Sequence, residues 1–221
     1  GKGWVKSNDL VFCYHARMCG IFGYIGNKKI AGVIVVKGLK NLEYRGYDSW
    51  GVVMRLEDGT LRTSKEVGKI GAVNNEDFSD ESSLAIAHSR WATHGGVTKL
   101  NAHPHFSGDG RIAVVHNGII ENFEELRSEL QTKGHVFASE TDTEIIPHLI
   151  EELLKKKEMT LCEAVRAACK RFAGRFAILV LDRTSQNLVA ARTGSPLIVG
   201  VGEKEFFIAS DIPAFLEYTR N

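Results

Sequence analysis

The chain has 221 residues, 43% hydrophobic and 25% charged, with 28 Lys and Arg against 27 Asp and Glu. That length buries a substantial core in one domain, or one with an appendage, and the composition is that of a globular protein. The near-zero charge gives no reason to expect nucleic acid or an anionic membrane as partner, and no apolar run approaches the roughly 18 residues of a membrane span.

The chain opens with GKGWVKSNDLVFCYHARM, which lacks the apolar centre of a signal peptide and has no helical or strand period. We read residues 1–18 as a leader, either a propeptide or an upstream start, and 19–221 as one domain cut short at its C-terminal end, where FLEYTRN follows a strand without a terminal cap. GIFGYIG (20–26) is a strand candidate. Residues 28–44 form a helix, with Ile30, Val33, Ile34 and Lys37 marking its face. Strands follow at 49–56 and 61–68, joined by Glu-Asp-Gly-Thr, which has the composition of a hairpin turn. Residues 84–92 and 111–118 are two more buried strands, with a loop containing Gly, His and Pro between them.

Two helices carry their own punctuation. Asn122 with Glu125 has the form of a capping box ended by Gly134, and Thr160 with Glu163 repeats it, ended by Gly174. Between them, residues 142–157 are helical by period, with Pro147 marking a kink or the first turn. The chain then returns to strands at 175–183, 187–194, 196–202 and 205–211. Strands at both ends and helices grouped between them favour an α+β fold.

The four cysteines, Cys13, Cys19, Cys162 and Cys169, form no CxxC pair and are too sparse for a disulfide scaffold, so a reducing, cytoplasmic setting is the simplest reading. Cys162 and Cys169 lie seven apart on one helix face and read as core packing. Cys19 follows Met18 like the second residue of a fresh translation start. A thiol with pKa near 8.5 needs a base at neutral pH, and an α-amino group with pKa near 8 can serve as one. Cys19 has such an amine only when nothing is joined ahead of it. Taken alone, a Cys-Gly pair beside a strand reads as a packing thiol.

Further motifs change that weighing. CGIFGYIG, LEYRGYDS (42–49), HSRWATHG (88–95), NAHPH (101–105), VHNGIIEN (115–122) and SETDTE (139–144) occur in this order. Together they resemble the N-terminal-nucleophile glutaminase domains, glutamine amidotransferases of type 2, in the form carried by the glucosamine-6-phosphate synthase family, the isomerizing glutamine–fructose-6-phosphate transaminases. The similarity runs from Cys19 to the C-terminus. It implies a four-layer αββα sandwich of the N-terminal-nucleophile hydrolase type. It also implies a glutaminase half-reaction that feeds ammonia to a sugar-phosphate isomerase domain absent from this chain, in a homodimeric cytoplasmic enzyme of hexosamine biosynthesis. No cofactor and no metal are expected.

The resemblance assigns Cys19 as nucleophile, Asn117 and Gly118 as oxyanion donors, and Arg45 as a group ordering the site. A side-chain amide and an unobstructed backbone N–H suit an oxyanion, each donor typically lowering the barrier by about 3 kcal/mol; a plain Asn-Gly turn is the alternative. Free glutamine has an α-carboxylate and an α-ammonium. The resemblance pairs Arg90, whose fork matches a carboxylate, with the first and Asp142 with the second, and adds Thr93 and His94. The alternatives are a surface ion pair for Arg90, a surface arginine after a helix for Arg45, and a helix N-cap for Asp142. Thr141 with Glu144 can cap that helix and leave Asp142 facing a ligand. Trp91 is either a core aromatic or, as in the family, part of a loop closing over glutamine.

Two other chemistries lack their signatures in this sequence. His94, His103, His105 and His116 with a cysteine have no ordinary zinc spacing. A papain-like Cys–His–Asn site lacks its local signature, and Gly-Ile after Cys19 suits a strand start. A catalytically silent domain that binds glutamine or glutamate is the expectation if Cys19 stays blocked.

Overall fold

The computed structural model describes residues 19–92, 95–155 and 159–221. The expected leader, Thr93 and His94 lie outside the described residues, as do residues 156–158. In chain order the elements are β1 (Gly20–Gly26), α1 (Ala31–Asn41), β2 (Ser49–Leu56), β3 (Leu61–Val67), β4 (Ser82–Arg90), β5 (His105–Phe106) and β6 (Ile112–Ile120). There follow α2 (Phe123–Thr132), α3 (Ile145–Leu154), α4 (Leu161–Cys169), β7 (Gly174–Asp182), β8 (Leu188–Thr193), β9 (Ile198–Gly202) and β10 (Glu205–Ala209).

Successive strand residues point to opposite faces, and here both faces are apolar. On β1, Ile21 faces one way and Phe22 and Tyr24 the other; on β2, Val53 opposes Trp50, Val52 and Met54. On β6, Ala113 and Val115 oppose Ile112 and Val114, and on β7, Leu179 and Leu181 oppose Ile178 and Val180. The strands assemble into two antiparallel sheets, β3-β2-β4-β1-β10-β9 and β5-β6-β7-β8.

Ile21, Val53, Leu84, Ile86, Ala113, Val115, Leu179, Leu181 and Ile208 fill the space between the sheets. The outer face of the larger sheet packs on Ile34, Val35, Val36 and Leu39 of α1. The outer face of the smaller sheet packs on Leu126 and Leu130 of α2, Leu149 and Ile150 of α3, and Val165 and Ala168 of α4. Each fully buried Leu, Ile or Phe contributes roughly 1.5–3 kcal/mol relative to staying exposed. The result is the α+β, four-layer αββα sandwich. No helix among the described residues is long and apolar enough to cross a membrane.

Several local expectations need correction. The first helix starts at Ala31; Ile30 instead bridges to Ser82 and is exposed, and the buried stripe runs through Ala31, Ile34, Val35, Gly38 and Leu39. Its tail from Glu43 to Arg45 tightens into a separate 3₁₀ turn. The strand expected to reach residue 92 ends at Arg90, and His105–Phe106 adds a short edge strand inside the expected loop.

Thr160 and Glu163 form the capping box, and Pro147 lies in the first turn of α3. Asn122 makes no side-chain cap. Its amide accepts from the Ala173 N–H at 2.9 Å and donates to the Arg171 carbonyl at 2.9 Å, tying α2 to the start of β7. Thr141 also makes no side-chain cap, because Glu144 turns back to the Ala138 and Ser139 amides at 2.9 and 2.7 Å. Gly174 opens β7 rather than closing α4, which ends at Cys169. Cys162 is exposed on the first turn of α4, whereas Cys169 packs against the core.

Candidate active site

The inter-sheet face is apolar along most of its length and becomes polar at one end. β1 and β4 pair with Ile21 opposite His88 and Gly20 opposite Ser89, so Cys19 reaches the strand end beside Arg90. By the two-residue alternation, His88 and Arg90 continue the face of Leu84 and Ile86, and Asn117 continues that of Ala113 and Val115. Thiol, guanidinium and amide therefore emerge where the shared core stops.

Cys19 is half-buried. Its Sγ accepts from the Trp91 N–H at 3.1 Å and donates to the Trp91 carbonyl at 3.5 Å. Among the described residues no histidine hydrogen-bonds this sulfur. Burial pushes the thiol pKa up, opposed by the Trp91 hydrogen bond and the positive charges of Arg90 and Arg45. A base must therefore take the proton before the sulfur can attack.

The Cys19 carbonyl is a hub. It accepts from Asn117 Nδ2 at 2.7 Å and from Arg45 Nε at 3.3 Å. Asn117 Oδ1 lies 3.1 Å from His88 Nε2, which is also 2.9 Å from the His116 carbonyl. Two oxygen acceptors require His88 Nε2 to carry the proton. Among the described residues His88 Nδ1 has no hydrogen-bond partner, and burial pulls the ring pKa down to about 3. A neutral His88 thus holds the amide so that Nδ2 points at Cys19, leaving its second hydrogen available. Beside it, Gly118 has φ +114°, and a Cβ there would sit 2.0 Å from the Arg175 carbonyl oxygen, so only glycine fits.

Arg90 is buried and donates to the carbonyls of Gly96 at 3.0 Å and Gly95 at 3.4 Å. The same loop is fastened from three sides. Asp48 accepts from the Ala92 N–H at 2.9 Å, Asn101 Nδ2 donates to Gly96 O at 3.0 Å, and Glu140 accepts from Gly96 N–H at 3.2 Å. Asn101 also exchanges hydrogen bonds with Glu140 at 3.0 Å, side chain to side chain and side chain to backbone. The segments 42–49, 101–105 and 139–144 thus converge on the loop that begins at Trp91. Trp91 is half-buried, edge-on to Tyr47 at 5.4 Å between ring centroids, and so not a core aromatic. Asp142 opens a 3₁₀ turn and is buried; one carboxylate oxygen accepts from the Ile120 N–H at 2.8 Å. That bond ties it to β6, two residues past Gly118.

Cys19, Arg90, Trp91, Gly118 and Asp142 line one pocket together with His103, His116, Thr141 and Thr143. Asn117 and Arg45 meet Cys19 at its carbonyl. Arg45 also pairs with Asp211 at 3.3 Å, and its side chain is nearly fully buried, so it is no surface arginine. Thr93 and His94 lie outside the described residues.

His103 and His116 of the pocket wall cluster with His88 and His105, with His103 at 3.9 Å from His88 and 4.9 Å from His105 between ring centroids. Gly51 makes room for this cluster, because a Cβ there would lie 1.9 Å from the His103 carbonyl oxygen. Burial lowers the pKa of all four rings. His88, Asp48, Asn101 and Glu140 were missed as site-building residues, although each falls inside one of the quoted motifs.

A family model described as a glutamine amidotransferase domain matches residues 88–217. The glutamine–fructose-6-phosphate aminotransferase (isomerizing) of Methanococcus maripaludis is 51% identical, covering 92% of this chain and 35% of that protein. The namesake proteins of Thermococcus kodakarensis and Thermus thermophilus are 53% and 49% identical, covering 91% and 92% of this chain and 34% and 33% of theirs. The chain therefore spans about a third of the length of the curated relatives it matches. Among solved structures, the glutamine phosphoribosylpyrophosphate amidotransferase of B. subtilis superposes with a TM-score of 0.76 at 28% identity, over 91% of this chain and 44% of that one. An allosteric regulatory enzyme of purine biosynthesis gives 0.78 at 30%, with the same coverage. On the family match and these relatives, the chain belongs to the glutamine amidotransferase family.

Proposed function

We propose that Cys19 hydrolyses L-glutamine to glutamate and ammonia, with its own α-amine as base. The reading is carried by one observation: Cys19, a buried Arg90, Gly118 and a buried Asp142 line a single pocket, and an oriented Asn117 amide bonds to the Cys19 carbonyl beside it. Arg90 takes the α-carboxylate of glutamine and Asp142 the α-ammonium. Thr93 and His94 assist from the loop, and Trp91 covers the bound amino acid and gates release of ammonia. Sγ attacks the side-chain amide carbon as its proton passes to the α-amine. The free Asn117 hydrogen and the Gly118 N–H hold the resulting oxyanion. Collapse returns the proton to the leaving nitrogen and expels ammonia. Water then cleaves the glutamyl thioester, releasing glutamate and restoring the thiol. Arg45 steadies the nucleophile through its carbonyl.

An amine on Cys19 exists only once residues 1–18 are removed, so 19–221 is the active domain in this reading. In the complete enzyme, ammonia passes to a sugar-phosphate isomerase domain that converts fructose 6-phosphate to glucosamine 6-phosphate, in a cytoplasmic homodimer. The similarity to the isomerizing aminotransferases, over about a third of their length, supports the transfer of ammonia to a second domain.

The test compares protein starting at Cys19 with protein retaining residues 1–18. Reaction with the electrophilic glutamine analogue 6-diazo-5-oxo-L-norleucine and mass spectrometry should mark Cys19, with glutamine turnover, only in the first. Turnover by molecules that retain the leader would refute the amine as base. An unlabelled Cys19 in the first sample would refute it as nucleophile.

A further inference from the structure

Away from the active site, His135, His148 and Glu151 bring three ligand atoms together. His135 Nδ1 and His148 Nδ1 are 3.0 Å apart, and Glu151 Oε2 is 3.8 Å from each. Tetrahedral zinc with bonds of 2.0–2.1 Å places its ligand atoms about 3.3 Å from one another, so these separations bracket a first coordination shell. Both rings are buried.

The outer nitrogens sharpen the point. His135 Nε2 faces Glu152 Oε2 at 3.3 Å, and His148 Nε2 faces Glu144 Oε1 at 3.8 Å. Each carboxylate wants an N–H donor. A neutral imidazole with its proton on Nε2 presents a lone pair at Nδ1. Two such lone pairs would face each other across 3.0 Å with a carboxylate beside them, an arrangement that a cation held between them satisfies. The pattern of metal, histidine and outer carboxylate is the one that fixes tautomer and ring orientation in metal centres.

Around the cluster, Glu151 Oε2 also accepts from the Gly108 N–H at 2.8 Å, and Phe137 packs on the His148 ring at 4.6 Å between centroids. Lys155 lies 3.7 Å from the other Glu151 oxygen and 3.4 Å from Glu152, but its side chain is mostly exposed and sits outside the inner shell.

We propose that His135 Nδ1, His148 Nδ1 and Glu151 Oε2 bind one divalent transition ion of the zinc class, with water as fourth ligand. The ion joins the segment after α2 to α3 and, through Glu151, to the loop between β5 and β6. The two-nitrogen, one-carboxylate set suits Zn²⁺ or Co²⁺ and is too poor in oxygen for Ca²⁺.

Zn²⁺ titration of the full chain at neutral pH should show saturable uptake that falls at least about 100-fold in affinity in His148→Gln and in His135→Gln, the top of the range for losing even an outer partner. Glu152→Gln should weaken uptake about tenfold. Crystals of the unaltered protein soaked in Zn²⁺ should give an anomalous peak between the two Nδ1 atoms, a readout that does not depend on how the variants fold. No peak there, or affinity unchanged in both histidine variants, would overturn the site. A shared proton in place of the ion would produce that first result.

Discussion

At the residue scale, His88 is the group whose contribution is least visible in the sequence. It touches no expected substrate atom and acts by fixing the Asn117 amide. His88→Ala should therefore lower kcat for glutamine by about 10- to 100-fold, short of the 10²–10³ expected for deleting the donor itself in Asn117→Ala. KM should stay within a few-fold. His88→Gln, whose amide can donate to the same oxygen, should recover part of the loss. Steady-state kinetics on the three variants decides it, and a His88→Ala enzyme with full kcat would remove the positioning role. Cys19, Asn117 and Gly118 could be proposed from the sequence because the chemistry suggested for them is local to short motifs. The tautomer of His88 could not, since it depends on His116 and Asn117, 28 and 29 residues away.

At the scale of elements, the strands were readable from alternation and apolar runs, and the helices from period. Their ends were less so, because side chains that suit a cap found better partners in the tertiary structure, as Asn122 and Glu144 did. Arg111 and Asp182 show the same preference for distant pairing: the guanidinium grips the buried carboxylate at 2.9 and 2.8 Å, joining the start of β6 to the end of β7. Asp182 also accepts from the Thr184 backbone and hydroxyl at 2.9 Å. Burial raises the Asp182 pKa, but the Arg111 and Thr184 hydrogen bonds outweigh it and leave it lowered. Asp182→Asn should cost about 2–3 kcal/mol in urea unfolding at neutral pH. A carboxylate depressed in the folded state stabilises above its unfolded pKa near 3.9 and loses that contribution as pH falls through the folded value. The gap between variant and parent should accordingly close in strong acid; a gap that persists there would count against this ion pair as its source.

For the whole molecule, the main acid-sensitive feature is the group of four buried imidazoles around the candidate active site. Their folded pKa values lie below the ordinary 6.5, so the unfolded chain binds protons that the folded one refuses. Stability is then complete above about pH 6.5 and declines as pH falls; His88 alone contributes a slope of up to about 1.4 kcal/mol per pH unit down to its folded value. Urea midpoints at about pH 7.5 and 5.5 should differ clearly, before any carboxylate titrates appreciably. Equal midpoints would mean that the cluster opens to solvent. From the sequence, His103, His105 and His116 had no zinc spacing and His88 carried no signal of its own; their shared burial came from folding β4, β6 and the 101–105 segment together.

The placement of β1 has a mechanical consequence. It lies inside the larger sheet, bonded to β4 along one edge and β10 along the other, and the first pair begins one residue after Cys19. The β4 ladder holds the backbone from Gly20 and the β10 ladder from Phe22. Severing the peptide bond before Cys19 would expose a new charged end on a fixed mount, with no fraying of the strand behind it.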